Sequence, residues 1–118
     1  MSDVYKNASA ILTNTAQTVL YTVPTANVAI VPLQNPVQAI VKSIFVCNTT
    51  SSALTITLVN TNASLSADVY ITSVKSIAAN TEVEILSAPL ILEDSDILKG
   101  TSSGAGMHIT VSILEISN

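Results

Sequence analysis

Residues 39–60 carry the sequence AIVKSIFVCNTTSSALTITLVN, two apolar segments separated by a run of Asn, Thr and Ser. In the second segment every other residue from Leu54 to Leu58 is apolar, and threonines lie between them. This period of two is typical of a strand with one buried face. Asn and Ser favour turns, whereas Thr suits a pleated strand. The stretch therefore predicts two strands joined by a turn at Asn48 to Ser52.

The first of these segments is apolar on both faces of the predicted strand. One face carries Val41, Phe45 and Cys47, and the other carries Ile40, Ile44 and Val46. A strand buried on both sides lies centrally in a sandwich or against another subunit. We therefore expect the Phe45 ring in the core, where Phe45→Ala costs about 3–5 kcal/mol, whereas Lys75→Ala does little. Cys47 is expected to be a buried free thiol, since a reactive thiol needs a base nearby.

The rest of the chain repeats the strand pattern. Apolar residues recur at every second position from Met107 to Ile113, and Val83 and Ile85 alternate with two glutamates on the wet face, Glu82 and Glu84. Turn signals recur about every ten residues, as in all-β sandwiches and barrels. Strands are predicted near residues 3–12, 17–23, 27–31, 38–47, 53–60, 68–77, 82–87, 89–92 and 107–116.

This pattern predicts an all-β fold: a single β-sandwich, jelly-roll or immunoglobulin-like, of about eight antiparallel strands. Residues 11–118 form the predicted sandwich domain. Residues 1–10 are predicted to be an N-terminal arm that orders on a neighbouring molecule, because they precede the compact alternating core.

The composition is poor in charge. Charged residues are 10% of the chain, against about a quarter in ordinary soluble domains. The chain has four lysines, no arginine and a net charge of −4, which disfavours a nucleic-acid surface. Ser and Thr occupy 29 of the 118 positions, so the polar surface consists mainly of uncharged hydroxyl groups. A single cysteine, Cys47, excludes an internal disulfide.

No segment indicates a membrane or a secretory signal. The start of the chain lacks the basic and apolar regions of a signal peptide. The longest stretch free of polar residues, residues 28–33, is far shorter than a membrane span. We expect the protein to be made in a cytoplasm and to stay soluble until it assembles.

Candidate active sites are incomplete. His108 is the only histidine, and no G-x-S-x-G motif accompanies it, so we expect a surface residue. The segment Gly100 to Gly106 superficially resembles a phosphate loop, but it has no lysine and a strand follows it, so a flexible hairpin is predicted. Carbohydrate chemistry needs paired carboxylates and an aromatic floor, and the chain has no Trp and one Phe.

Two further patterns are an acidic cluster, whose ability to bind a cation stays open, and glycosylation patterns, which are explained as turns. Glu93, Asp94 and Asp96 cluster as oxygen ligands that Ca²⁺ would accept, although the spacing matches no EF-hand loop. The glycosylation patterns at Asn7, Asn48 and Asn62 are attributed to turn chemistry. We predict no catalytic, cofactor-binding or metal-binding residue and no enzymatic activity, and leave the cation question at Glu93 to Asp96 open.

The order of four segments resembles a group of small β-sandwich virion proteins of tailed bacteriophages, of the capsid decoration or cement type. These segments are TVLYTVPTANVAIV (18–31), AIVKSIFVCNTTSSALTITL (39–58), AANTEVEILSAPLILEDSDILKG (78–100) and GAGMHITVSILEIS (104–117). The segment VPLQNPVQ (31–38) departs from the pattern of that group. No functional residue is carried over from the resemblance.

The resemblance implies a homo-oligomer, with three copies expected, that binds the major capsid protein or another virion protein without nucleic acid, membrane or cofactor. Location on the virion, after assembly in the host cytoplasm, follows from it. An alternative is a structural or adaptor protein of the tail, baseplate or fibre. A third class, an enzyme or carbohydrate-binding domain, would require a carboxylate pair facing an aromatic platform.

Overall fold

The described part of the chain, residues 2–13, 15–24, 38–63 and 65–117 of a computed structural model, forms nine strands in two antiparallel sheets. No helix in these residues is long and apolar enough to cross a membrane. The strands are β1 (Ser2–Leu12), β2 (Thr18–Thr22), β3 (Gln38–Asn48), β4 (Leu54–Asn62), β5 (Ala67–Ile77), β6 (Glu82–Glu84), β7 (Leu90–Leu92), β8 (Ile97–Ser102) and β9 (Met107–Ser117).

The strand order is that of one long hairpin wound up on itself. The first strand pairs with the last, β2 pairs with β8, β3 pairs with β6 and β7, and β4 pairs with β5. The sheets then read β1-β9-β3-β6, with β7 also on β3, and β2-β8-β4-β5. Because β6 and β7 share one edge of β3, they act as a single interrupted strand, which gives the eight-stranded jelly-roll arrangement.

This topology confirms the predicted β-sandwich and decides between its two alternatives. In an immunoglobulin fold the first two strands pair within one sheet. Here β1 and β2 lie in different sheets, so the sandwich is a jelly roll. The strand predicted at 27–31 lies outside the described residues.

Strand β8 was not predicted, and the hairpin predicted at Gly100 to Gly106 is wrong. Gly100 lies inside β8, where an added Cβ would come within 3.2 Å of both Leu20 and Leu58. A glycine within a strand often marks such a close approach to neighbouring side chains. Residues 103–106 then cross from one sheet to the other, so they do not form a hairpin.

A bulge in β3 corrects the predicted position of Phe45. The pairing of β3 with β9 shifts between Val41 and Ser43, so that Lys42 is an extra residue. The buried face is therefore Ala39 and Val41 before the bulge and Ile44 and Val46 after it. Phe45 lies on the opposite face and is 47% exposed, so its predicted place in the core is wrong. Cys47, on the same outer face, is half-buried.

The core between the sheets is aliphatic. Strand β9 contributes the alternating residues that the sequence predicted, and β4 contributes Ile56 and Leu58. Val83 and Ile85 pack against this cluster, as their alternation with glutamates indicated. The buried members are Leu12, Val23, Ala39, Val41, Ile44, Val46, Ile56, Leu58, Ile77, Leu92, Leu98, Met107, Ile109, Val111 and Ile113.

Residues 2–10, within the segment predicted as an N-terminal arm, form most of β1. This strand pairs with β9 at every position from Ser2 to Leu12, so the predicted boundary after Ala10 falls inside it. Ala8 packs against the core and Leu12 is part of it. In this chain these residues therefore belong to the sandwich, and their ordering on a neighbour stays a prediction.

Backbone and amide hydrogen bonds tie the turns at one end of the sandwich together. Thr49 N donates to Gly106 O at 3.1 Å, and Gly106 N donates to Leu12 O at 3.0 Å. Buried Asn48 donates through Nδ2 to Ile77 O and accepts at Oδ1 from Thr50 N, which confirms turn chemistry at this position. Gly106 has a φ of 107°, a conformation that favours glycine.

Two neighbouring residues of β3 provide a stability test of the bulge. We expect Ile44→Ala to lower the free energy of unfolding by about 2–5 kcal/mol, because it leaves a cavity between the sheets. Phe45→Ala removes a ring that is already half in solvent and should cost about 1 kcal/mol. Urea unfolding of both variants measures the difference. Equal losses would contradict the shifted register.

Candidate assembly surface

The outer face of the five-stranded sheet carries a row of apolar side chains across its strands. Tyr5 of β1 lies opposite Leu114 of β9, which lies opposite Ile40 of β3, which lies opposite Ile91 of β7. The two ends of this apolar row are the most open, with Tyr5 74% and Ile91 63% exposed. Large apolar side chains arranged contiguously on a surface commonly mark a contact with another protein.

Lys42, the extra residue of the bulge, lies over this row. Its Nζ atom is 5.4 Å from the centre of the Tyr5 ring, within the range of a cation–π contact. The bulge therefore does two things for this face. It turns Phe45 outward, and it places a lysine where it contacts a ring two strands away.

Beyond the apolar row the same face is polar and almost uncharged. The next row consists of Asn7, Ser112 and Ser43, and the row after it contains Ser9, Thr110, Phe45 and Glu84. Glu84 is committed to the backbone, because its Oε2 accepts a hydrogen bond of 2.8 Å from Ile44 N beside the bulge. Hydroxyl and amide groups can be covered by another protein with far less desolvation cost than charges.

The four-stranded sheet has a comparable row on its own outer face. Val19, Lys99, Val59 and Tyr70 lie opposite one another along β2, β8, β4 and β5. Val59 is only 3% exposed between its two larger neighbours, whereas Tyr70 and Val19 are open. Both outer faces therefore present apolar side chains, each with a single lysine beside them.

A buried carboxylate joins three strands inside the sandwich. Glu115 of β9 bonds to Lys6 of β1, with 3.1 Å between Oε1 and Nζ, and its Oε2 accepts a hydrogen bond from the Tyr21 hydroxyl of β2. Burial of Tyr21, followed by its hydrogen bond to Glu115 and the carboxylate's charge, raises the pKa of the phenol well above its ordinary value. Both carboxylate oxygens are engaged, which indicates a structural role.

Sequence reasoning missed Glu115, although a signal for it exists. The residue occupies the next inward position of the alternation that runs from Met107 to Ile113. A charged residue at a core position needs a partner. Neither Lys6 nor Tyr21 was identifiable as that partner, because only the strand order brings β1 and β2 to this end of β9.

In the predicted acidic turn, Asp96 acts as a clamp: it hydrogen-bonds to the backbone of neighbouring loops. Asp96 is buried, and its two carboxylate oxygens accept hydrogen bonds of 3.0 Å each from Ala63 N and Glu93 N. Its backbone oxygen accepts a bond of 2.9 Å from Val23 N. A cation would have to compete with these amide donors. Within the described residues no group of three or more His, Cys, Asp or Glu side chains could hold a metal ion.

The register brings other candidates together in one row. Cys47 of β3 lies opposite His108 on one side and Glu82 on the other. His108 is exposed, as expected for a surface histidine, and a shallow depression beside it is lined by Ser9, Ile11 and Thr110. In this row the cysteine lies between the other two side chains, whereas a nucleophilic triad places the histidine centrally. The arrangement does not form a triad.

Comparisons with known proteins add a fold relationship. No protein-family model and no curated protein matches the sequence. A chain of the T13 particle of infectious bursal disease virus has a similar fold, with a TM-score of 0.52 and 8% identity over 98% of this chain and 31% of that chain. A chain of the Gx strain of that virus gives 0.52 and 12%, over 99% and 30%.

The present chain thus spans about a third of the length of the viral chains that it resembles. Identity this low shows a shared fold and nothing further about activity or partners. Strand order and comparison together define the fold as a jelly-roll sandwich, and chains of a virus particle contain a similar fold.

The structural role of Asp96 can be tested against a cation-binding role. Asp96→Ala leaves two backbone N–H groups without their acceptor, so we expect a loss of about 1–3 kcal/mol in the free energy of unfolding. Glu93→Ala, at an exposed side chain of the same turn, is the matched control and should change stability little. Millimolar Ca²⁺ should leave the melting temperature of the unmodified protein unchanged. A rise that Asp96→Ala abolishes would contradict the clamp.

The Tyr21–Glu115 contact predicts a loss of stability at alkaline pH. The folded-state pKa of Tyr21 lies above the unfolded value of 10.0, so the stabilisation is complete below pH 10.0 and is lost as the pH rises beyond it. Each pH unit above that point removes less than about 1.4 kcal/mol, because solvent screens the partly exposed contact. Urea unfolding of wild type and Tyr21→Phe at several pH values should show the gap between them narrowing, with Tyr70→Phe as the substitution control. A constant gap would contradict the contact.

Proposed function

We propose that this protein is a non-enzymatic structural component of a virion, more specifically a bacteriophage capsid decoration protein. It associates with copies of itself and binds the lattice of major capsid proteins. The proposal rests on the jelly-roll strand order together with the fold similarity to chains of a virus particle, which extends over almost the full length of this chain. The proposal also includes an oligomer of three copies and assembly in the host cytoplasm.

The chemistry of the outer faces supports an assembly role. The apolar row from Tyr5 to Ile91 provides buried area for a contact, and the hydroxyl rows beside it need little desolvation. A protein repeated over a shell needs only modest energy in each contact, because the contacts add up over many copies. A surface of this kind stabilises a head by many weak attachments.

The hydrogen bonds that three carboxylates make within the fold support a role without catalysis. Glu115 and Asp96, the two buried carboxylates among the described residues, have both oxygens engaged in holding strands or loops. Glu84 holds the backbone of the bulge. A general acid or base has to reach a substrate, and these three groups serve the fold.

Immunogold electron microscopy tests the location. Particles released from cells that produce the protein are treated with gold-labelled antibody against it, and we expect label spread over the heads. Label confined to tails would replace the decoration role with that of a tail, baseplate or fibre component. Absence of label from particles, with the protein present in the lysate, would overturn the virion role. Purified particles labelled against the major capsid protein are the positive control.

A further inference from the structure

The four sheet edges of the sandwich differ in how well a further strand can pair with them. Strand β2 has five residues, and its register shifts between Val19 and Tyr21. The edge of the five-stranded sheet that pairs with β3 is divided into two strands of three residues, β6 and β7. Strand β5 is longer, but its pairing with β4 shifts twice and Val74 has a φ of 48°. Bulges and short strands are features that keep sheet edges from pairing with other chains.

Strand β1 has none of these features. It pairs with β9 through eleven consecutive positions without a shift, and it has no neighbouring strand on its other side within the described residues. Its outer edge therefore carries a regular series of backbone donors and acceptors. A long regular edge is a template for a further strand.

The charge of Lys6 does not guard this edge. Inward-pointing lysines protect many edge strands, because an added strand would bury the charge. Here Lys6 is the only charged residue among the described side chains of β1, and it bonds to Glu115 of its own chain at 3.1 Å. The ion pair offsets the charge of Lys6 within its own chain, so an added strand meets no unpaired charge among the described side chains of β1.

We propose that β1 pairs antiparallel with β1 of a second copy of this chain, about a twofold axis at Ala8. A twofold contact requires that the strand match its own reverse. The sequence from Val4 to Leu12 does so about Ala8: two apolar residues stand at each end, and Asn7 and Ser9 flank the centre. Tyr5 then lies opposite Ile11 of the second copy, and Val4 lies opposite its Leu12.

The exposed side chains fit this register. Tyr5 and Ile11 are 74% and 60% exposed on the outer face, and an aromatic ring beside a β-branched side chain is a favourable cross-strand pair. Lys6 lies opposite Ala10 of the second copy, so no like charges meet. The two five-stranded sheets become one continuous sheet, in which the apolar rows of both copies lie on the same face.

This contact gives the proposed virion role a twofold interface between copies, separate from the contact that would join three copies in one oligomer. It rests on that role for its purpose only. The pairing is a property of the purified protein and is measured without particles. Failure of the cross-link described next would overturn the pairing and leave the particle localisation standing. Absence of label on particles would overturn the virion role and leave the pairing standing.

Disulfide cross-linking tests the register. Tyr5→Cys and Ile11→Cys are each made in a Cys47→Ser background, and the two proteins are oxidised mildly, separately and mixed. Directly opposed residues have Cα atoms within the range that a disulfide needs. Two copies of one variant place their cysteines six positions apart, about 20 Å. We expect at least about tenfold more cross-linked dimer in the mixture than in either protein alone.

Sedimentation equilibrium tests the edge without added cysteines. The double variant Tyr5→Lys/Ile11→Lys should weaken self-association at least about tenfold. Leu65→Lys/Val74→Lys adds the same charge at two exposed positions outside both apolar rows and should leave self-association unchanged. Matching unfolding curves for the two variants establish that both are folded. No cross-link in the mixture, equal cross-linking in the separate samples, or equal weakening by both double variants would overturn the β1 pairing.

Discussion

The structure depends on the double pairing of β9. This last strand hydrogen-bonds to β1 along one side and to β3 along the other, over nearly all of its length. Its inward residues, from Met107 to Ile113, form the centre of the core. Strand β9 joins two strands from the first half of the chain. The five-stranded sheet is therefore incomplete until β9 pairs with both of them, and this long-range pairing sets the topology.

The bulge at Lys42 shows how one extra residue changes the chemistry of a surface. Without it, Phe45 would share a face with Val41. With it, the aliphatic residues Ile44 and Val46 continue the buried face, while Phe45 and Cys47 turn outward. The Glu84 carboxylate accepts the hydrogen bond of the Ile44 amide at this irregularity. A bulge is a specific structural feature of a sheet that changes which face a side chain points to, and here it places side chains on the outer face.

Three of the carboxylates hold parts of the chain together. Glu115 joins three strands, Asp96 joins the loops at one end, and Glu84 supports the bulge. Most of the outer surface is left to hydroxyl, amide and apolar groups. Such a surface is poorly suited to repelling other molecules and well suited to contact with them, which agrees with the proposed assembly role.

The sequence by itself determined the class of the fold and much of the core. Alternation with period two identified the buried face of β9 and of β4, because side chains on a strand alternate strictly between faces. Only the tertiary structure decided the rest. The bulge reverses the faces of β3 at Lys42. Gly100 lies in β8, where an added Cβ would be in tight contact with two leucine side chains, and Glu115 bonds to Lys6 and Tyr21 from distant parts of the chain. These features arise from contacts between strands far apart in sequence, and local pattern carries no information about which strands will meet.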